Sequence, residues 1–121
     1  MKADFFADTN FLIYIHEGNK TVEPFLPFNF AISFISEVEL LGYKGITEKD
    51  EEKLRSLIQD CLVMEWNFKI KEQTIQLRKN HTIRLPDAII AASALTLGIP
   101  LVTADKAFSK ITALDLILIE V

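Results

Sequence analysis

Cysteine is nearly absent, with Cys61 the only one in 121 residues. That excludes an intrachain disulfide and a thiolate metal cluster and fits a reducing compartment. The lone thiol reads as a small core residue rather than a reactive group. Histidine is scarce too: His16 and His81 are the only two, and neither is spaced to act as a catalytic base or in a zinc site, so both read as packed or solvated. No apolar run reaches the ~20 residues that span a bilayer, and the first residues lack the basic-then-apolar order of a secretory signal. A soluble cytoplasmic protein with no membrane partner is expected. The chain has no glycine-rich phosphate loop and no G-x-S-x-G elbow. It also lacks repeats, low-complexity segments and linkers, so residues 1–121 are expected to form one domain, large enough to bury roughly 65% of its unfolded surface. Positive charge is in deficit, with 13 basic against 17 acidic residues and a net charge of −4. This argues against bulk electrostatic coating of nucleic acid but leaves a local site open.

What is present is concentrated in RLPDAIIAASALTLGIPLVTADKAF, Arg84 to Phe108. Pro86 suits the first helical position. Ala88 to Leu97 is apolar nearly all round and small, which predicts a buried helix, and Gly98 ends it. Leu101 to Ala104 reads as a strand closed by Asp105. A helix feeding directly into a strand of the same layered unit runs antiparallel to it, so Asp87 and Asp105 should meet at one sheet edge. In open α/β sheets that edge is where ligands bind.

Along the rest of the chain, Ala3 to Ala7 predicts a first strand and Phe11 to Glu17 a helix. Lys20 to Asn29 reads as a loop whose Phe25 and Phe28 cover a core edge or meet a partner. Phe30 to Ile35 predicts a second strand, followed by a helix capped by Ser36 with Glu39 as its reciprocal member. Thr47 caps a helix through Leu54, Leu57, Ile58 and Cys61, and its charged run from Glu48 to Lys53 is a solvated face. Leu62 to Trp66 predicts a third strand, Lys69 to Asn80 a helix with Ile70, Thr74 and Leu77 inward, and Leu116 to Val121 a last strand. The alternation implies an α/β three-layer fold with a mainly parallel sheet flanked by helices.

Four acids fall at its carboxyl edge: Asp8, Glu39, Asp87 and Asp105. Singly, each has a capping or helix-dipole explanation. Jointly, carboxylates ~5 Å apart repel by roughly 3 kcal/mol per pair at an effective dielectric near 20, so a cluster must bind cations or stay partly protonated. Oxygen-only ligands suit Mg²⁺ or Mn²⁺, and metal-assisted phosphodiester hydrolysis is the chemistry they support.

Asp8-Thr9-Asn10, Ile32-Ser33 through Glu39-Leu40-Leu41, Leu85-Pro86-Asp87-Ala88 with Ile90-Ala91-Ala92, and Leu101 to Asp105 with Phe108 together resemble a PIN domain of the VapC type, the toxin half of a toxin–antitoxin pair. The likeness covers essentially the whole chain. It implies a Mg²⁺-dependent ribonuclease on a five-stranded parallel sheet, usually dimeric and held inactive by a cognate antitoxin. By position Asp8, Glu39, Asp87 and Asp105 match the catalytic and metal-binding quartet, and Asn10 and Thr103 match supporting polar residues. Glu37 competes with Glu39, but the two point about 200° apart on a helix, and the Leu that follows favours Glu39. Where many relatives carry a second carboxylate this chain has Ala107, so one tightly held ion, with a second recruited by substrate, is expected. Arg78, Lys79, Arg84, Lys106 and Lys110 are the candidate RNA contacts, each also explicable as solvated charge. An antitoxin tail could place an arginine in the acidic pocket and apolar residues near Phe25 and Phe28.

Three other readings compete. A receiver domain would need an acceptor aspartate after the middle strand, and Asp60 lies on a helix instead. A non-catalytic PIN-like RNA-binding or scaffold module, and a stand-alone RNA-processing nuclease, share the fold.

Overall fold

The computed structural model describes residues 2–121. Five strands, β1 (Phe5–Ala7), β2 (Phe30–Ser33), β3 (Leu62–Met64), β4 (Leu101–Thr103) and β5 (Leu116–Leu118), form one sheet in the order β3-β2-β1-β4-β5. Every pairing is parallel, and the first strand lies at the centre, with Phe6 opposite both Ala31 and Leu101. Five helices cover it: α1 (Thr9–His16), α2 (Phe34–Leu41), α3 (Glu48–Gln59), α4 (Phe68–Asn80) and α5 (Leu85–Leu97).

The strands read as unbroken apolar runs because both faces are covered, and their two-residue period still sorts side chains between two cores. Phe6, Ala31 and Leu101 point into a cluster with Ile70 and Leu77 of α4 and Ile89 and Ile90 of α5. Ala7, Ile32 and Val102 point the other way, into a cluster with Phe11 and Leu12 of α1, Leu40 of α2, and Leu54 and Ile58 of α3. Slipping any central strand by one residue would exchange the two sets.

Local capping differs from expectation at one helix. Strand β2 stops at Ser33, whose hydroxyl accepts from Ile35 N at 3.1 Å and starts α2 three residues ahead of Ser36. Ser36 is therefore an interior, fully buried helical residue and cannot form the expected reciprocal pair with Glu39. Thr47 caps α3 as its sequence predicts, accepting from Asp50 N at 3.1 Å. Lys20–Phe25 is a 3-10 helix capped by Asn19 rather than an irregular loop. Its Phe25 packs edge-on against Phe5 and Phe11, both at 5.7 Å between ring centroids. Phe28 packs likewise on Phe5 at 5.1 Å. Val22 and Phe25 thus close one end of the domain's own core, while Leu26 and Phe28 remain exposed.

Helix α5 is buried from Ala88 through Ala94, and its small residues let α4 pack along it. Pro86 stands second in the helix, behind Leu85, where its missing N–H still leaves no broken bond. Cys61 is half-buried, its Sγ 3.4 Å from Leu57 O. Burial, with a smaller push from the Asp60 charge, raises its thiol to about 11, which makes it a poor nucleophile at neutral pH.

Gly98 closes α5 in the left-handed region at φ +68, with open space where a Cβ would stand. The penalty for a side chain there is purely one of backbone conformation. Gly98→Ala is expected to lose about 1 kcal/mol, read as a fall of about 4 °C in Tm by calorimetry.

Candidate active site

In a parallel sheet all carboxyl ends share an edge, and the first strand's central position makes that edge the meeting point of several segments. Asp8 follows β1 directly, Asp105 follows β4, Glu39 projects from α2 after β2, and Asp87 stands in the first turn of α5. These four carboxylates, with Thr9, Asn10, Arg84 and Ile90, line one small cleft of about 90 Å³.

Asp8 is the most confined of them, 4% exposed. Its Oδ1 accepts from Phe11 N at 2.9 Å and so caps α1, while its Oδ2 accepts from the Thr103 hydroxyl at 2.5 Å. Capping and site placement therefore coexist, one on each carboxylate oxygen. Desolvation by burial raises the Asp8 carboxyl above its ordinary 3.8, against the lowering effect of those two hydrogen bonds, and the charges of Asp105 and Asp87 raise it further. Thr103, fully buried on β4, also accepts from Asp105 N at 2.9 Å, so one hydroxyl fixes the acids at the ends of two adjacent strands. Asp105 Oδ1 then caps the 3-10 turn Lys106–Lys110 by accepting from Ala107 N at 2.9 Å.

Glu39 Oε1 accepts from the Thr9 hydroxyl at 2.8 Å, and that hydroxyl also lies 2.8 Å from Ser36 Oγ. Glu37, on the same helix, does not line the cleft. Asp87 Oδ2 accepts from Arg84 Nε at 3.2 Å, an ion pair one helical turn apart with the arginine 79% exposed. In Glu39, Asp87 and Asp105 the second carboxylate oxygen makes no hydrogen bond among the described residues.

The donors present are oxygen only, anionic and concentrated around a buried carboxylate held above its ordinary value, which is the chemistry that a hard divalent cation relieves. Among the described residues no three acidic, histidine or cysteine side chains already stand together as a metal-holding group. Asp87 is paired with Arg84 and Glu39 with Thr9. The residues fit Mg²⁺ in type.

The candidate basic residues divide. Arg84 lies in the acidic cleft. Lys110 Nζ donates to Thr82 O at 2.6 Å, tying the turn after β4 to the segment before α5. Lys106 is exposed on that turn. Arg78 and Lys79 line a different cleft on α4. Asn10, exposed in the first turn of α1, lines the acidic cleft. A groove of about 520 Å³ shares Thr9, Asn10 and Glu39 with the acidic cleft and continues past Ile13, Leu40, Tyr43 and Leu54 to His16. There His16 Nε2 is 3.4 Å from an Asp50 oxygen. Sequence reasoning did not single out Thr9, although it sits inside the Asp8-Thr9-Asn10 triplet. It also did not pair Arg84 with Asp87, although their spacing of one helical turn was available as a signal.

The PIN-domain family profile matches residues 5–114. A comparison with curated protein sequences gives no match. Among solved structures, the chain is similar to one from a toxin–antitoxin complex of Klebsiella pneumoniae, with 28% identity and TM-score 0.79 over 93% of this chain and 94% of that one. It is also similar to one from VapBC-1 of nontypeable Haemophilus influenzae, with 26% identity and TM-score 0.79 over 94% and 96%. A chain of Rickettsia felis VapBC2, solved with a promoter DNA fragment, shares the fold at TM-score 0.83 and 22% identity over 96% and 99%. The profile runs from the first residue of β1 almost to the start of β5, and over that length of agreement the chain belongs to the PIN-domain family, with VapBC toxin–antitoxin complexes as its structural neighbours.

Proposed function

We propose that this chain is a Mg²⁺-dependent endoribonuclease, a VapC-like toxin that hydrolyses RNA phosphodiester bonds in the cytoplasm as a homodimer and is neutralised by a cognate antitoxin. The observation that carries this reading is the convergence of Asp8, Glu39, Asp87 and Asp105, from four separate segments, on one polar cleft. These four residues would hold Mg²⁺, or Mn²⁺, which when bound supplies Lewis-acid activation of the phosphodiester and of an attacking water.

The chain's own residues set the conditions for that chemistry. Thr103 and the α1 backbone hold Asp8 in one orientation, so the least mobile acid is already in place before any ligand arrives. Thr9 keeps Glu39 at the cleft. Arg84 neutralises Asp87 in the free protein and, being largely exposed, can turn its guanidinium to a substrate phosphate when a cation takes its place.

Antitoxin docking is supported by the groove between α1, α2 and α3, whose apolar wall of Ile13, Leu40, Ile46 and Leu54 opens onto the acidic cleft through Glu39. An amphipathic segment seated there could deliver an arginine to the acids. The Phe25 and Phe28 segment offers a second apolar surface, since Phe25 is half-buried against Phe5 and Phe11 while Leu26 and Phe28 stay exposed.

Purified protein is expected to cut a structured RNA pool with Mg²⁺ and not with EDTA, and Asp8→Asn to lose cutting by more than the roughly 10–100-fold that removal of an outer partner costs. Binding without metal-dependent cutting by folded protein would instead support a non-catalytic module. Thr103→Val should fall within that 10–100-fold band while Thr103→Ser retains activity, measured as initial cleavage rates. A third expectation concerns pH. The Asp8 carboxyl is raised in the folded state, so its contribution to stability is full below the ordinary 3.8 and is lost as pH rises through the folded value. Metal-free Asp8→Asn should therefore gain in Tm relative to the parent as pH rises towards neutrality, and Mg²⁺ should stabilise only the parent.

A further inference from the structure

Ser36 and Glu39 have the spacing of a capping pair, yet α2 is capped by Ser33 and neither of them takes part. Both turn instead to one hydroxyl on the neighbouring helix. Thr9, the first residue of α1, has its Oγ1 2.8 Å from Ser36 Oγ and 2.8 Å from Glu39 Oε1. Residues three apart on a helix share a face, so Thr9 bridges two side chains one turn apart on α2.

The direction of each bond follows from counting protons. A threonine hydroxyl has one proton and an ionised carboxylate only accepts, so the Thr9 proton goes to Glu39. The Thr9 oxygen is then the acceptor towards Ser36, and Ser36 the donor. The bonds therefore run one way, from Ser36 through Thr9 to Glu39, and burial falls off in the same order: Ser36 is fully buried, Thr9 half-buried and Glu39 exposed. Two other buried hydroxyls within helices are used differently. Thr74 and Ser93 donate to the carbonyl four residues back, whereas Ser36 has β2 four residues behind it and sends its proton across to α1.

Glu39 is the cleft acid that most needs such support. Asp8 and Asp105 are each fixed by a backbone N–H, and Asp87 by Arg84 of its own helix turn. Among the described residues Glu39 is held by Thr9 alone, and it is a rotamer-rich side chain at an exposed position. Thr9 is β-branched and stiff about χ1, and a proton donated to its oxygen from the core leaves its own proton one direction to point. We propose that Ser36, which does not itself line the cleft, is a positioning residue that acts through Thr9: it orients the Thr9 proton so that Glu39 Oε1 is held and Oε2, which makes no hydrogen bond, is left for a cation. The role rests on reading the acidic cleft as a divalent-metal nuclease centre.

Metal affinity is the test. Mn²⁺ would be titrated into the full-length protein after EDTA treatment and desalting, and the free ion counted by its EPR signal. Thr9→Val keeps the shape and removes the donor, and a loss of roughly 10–100-fold in Mn²⁺ affinity is expected. Ser36→Ala leaves Thr9 in place and is expected to lose about tenfold, at the lower end of that range. Thr9→Ser, which keeps both bonds, should retain the parent affinity. In a Glu39→Ala background neither Thr9→Val nor Ser36→Ala should cost further affinity, whereas a merely structural role would add its loss to that of Glu39. If calorimetry shows Thr9→Val unfolded, Ser36→Ala carries the same comparison. Parent-like affinity in Ser36→Ala, or a loss that persists undiminished without Glu39, would overturn the proposal. A parent that binds no Mn²⁺ overturns it together with the metal reading. Affinity that falls as expected in the variants of a parent that cuts no RNA refutes the nuclease reading and leaves the positioning role standing.

Discussion

The structure depends on one buried hydroxyl–carboxylate bond, from Thr103 to Asp8. Asp8 ends the central strand and begins the first helix, so a displacement of its side chain would disturb both. An aspartate at 4% exposure is costly to keep charged, and unsatisfied lone pairs would make it costlier. Here the α1 backbone takes one oxygen and Thr103 the other, and the same threonine turns its lone pair to Asp105 N. A single β-branched polar residue in an otherwise apolar strand thereby couples two strand ends, two turns and two acids. The all-parallel order supplies the rest: with β1 flanked by β2 and β4, the three central strands present their following segments to one cleft.

Much of this was legible in the residues themselves. The block from Arg84 to Phe108 announced a buried helix, a left-handed glycine end, a strand and a capping aspartate, because each of those signals is local. Continuous apolar strands announced a sheet covered on both sides. The start of α2 was less legible, since Ser33 and Ser36 are both plausible caps in sequence. What decides between them is that β2 runs out of parallel partners at Ser33, opposite Met64, and pairing of that kind is not a local property. The segment from Lys20 to Phe25 looked irregular because Pro24 breaks ordinary helical periodicity, and its aromatic residues had no visible destination until Phe5 and Phe11 were brought beneath them.

The site itself divides in the same way. That these four acids meet at one sheet edge could be read from their places in the chain, whereas their hydrogen-bond partners could not. Whether Asp8 caps a helix or serves a cleft was posed as an alternative, and the geometry shows that a carboxylate has oxygens enough for both. Ser36 illustrates the converse. As a cap it had an adequate structural explanation, and its bond to Thr9 arises only when α1 and α2 pack together.

The pairing of Arg84 with Asp87 bears on how the proposed cation would enter the cleft. The two are separated by only Leu85 and Pro86, so the guanidinium is a tethered partner whose effective concentration does not change when the protein is diluted. An ion entering at Asp87 would be exchanged against that tethered charge rather than added to a bare carboxylate. If the cleft holds the proposed divalent ion, the tethered guanidinium is the charge that the ion would have to displace.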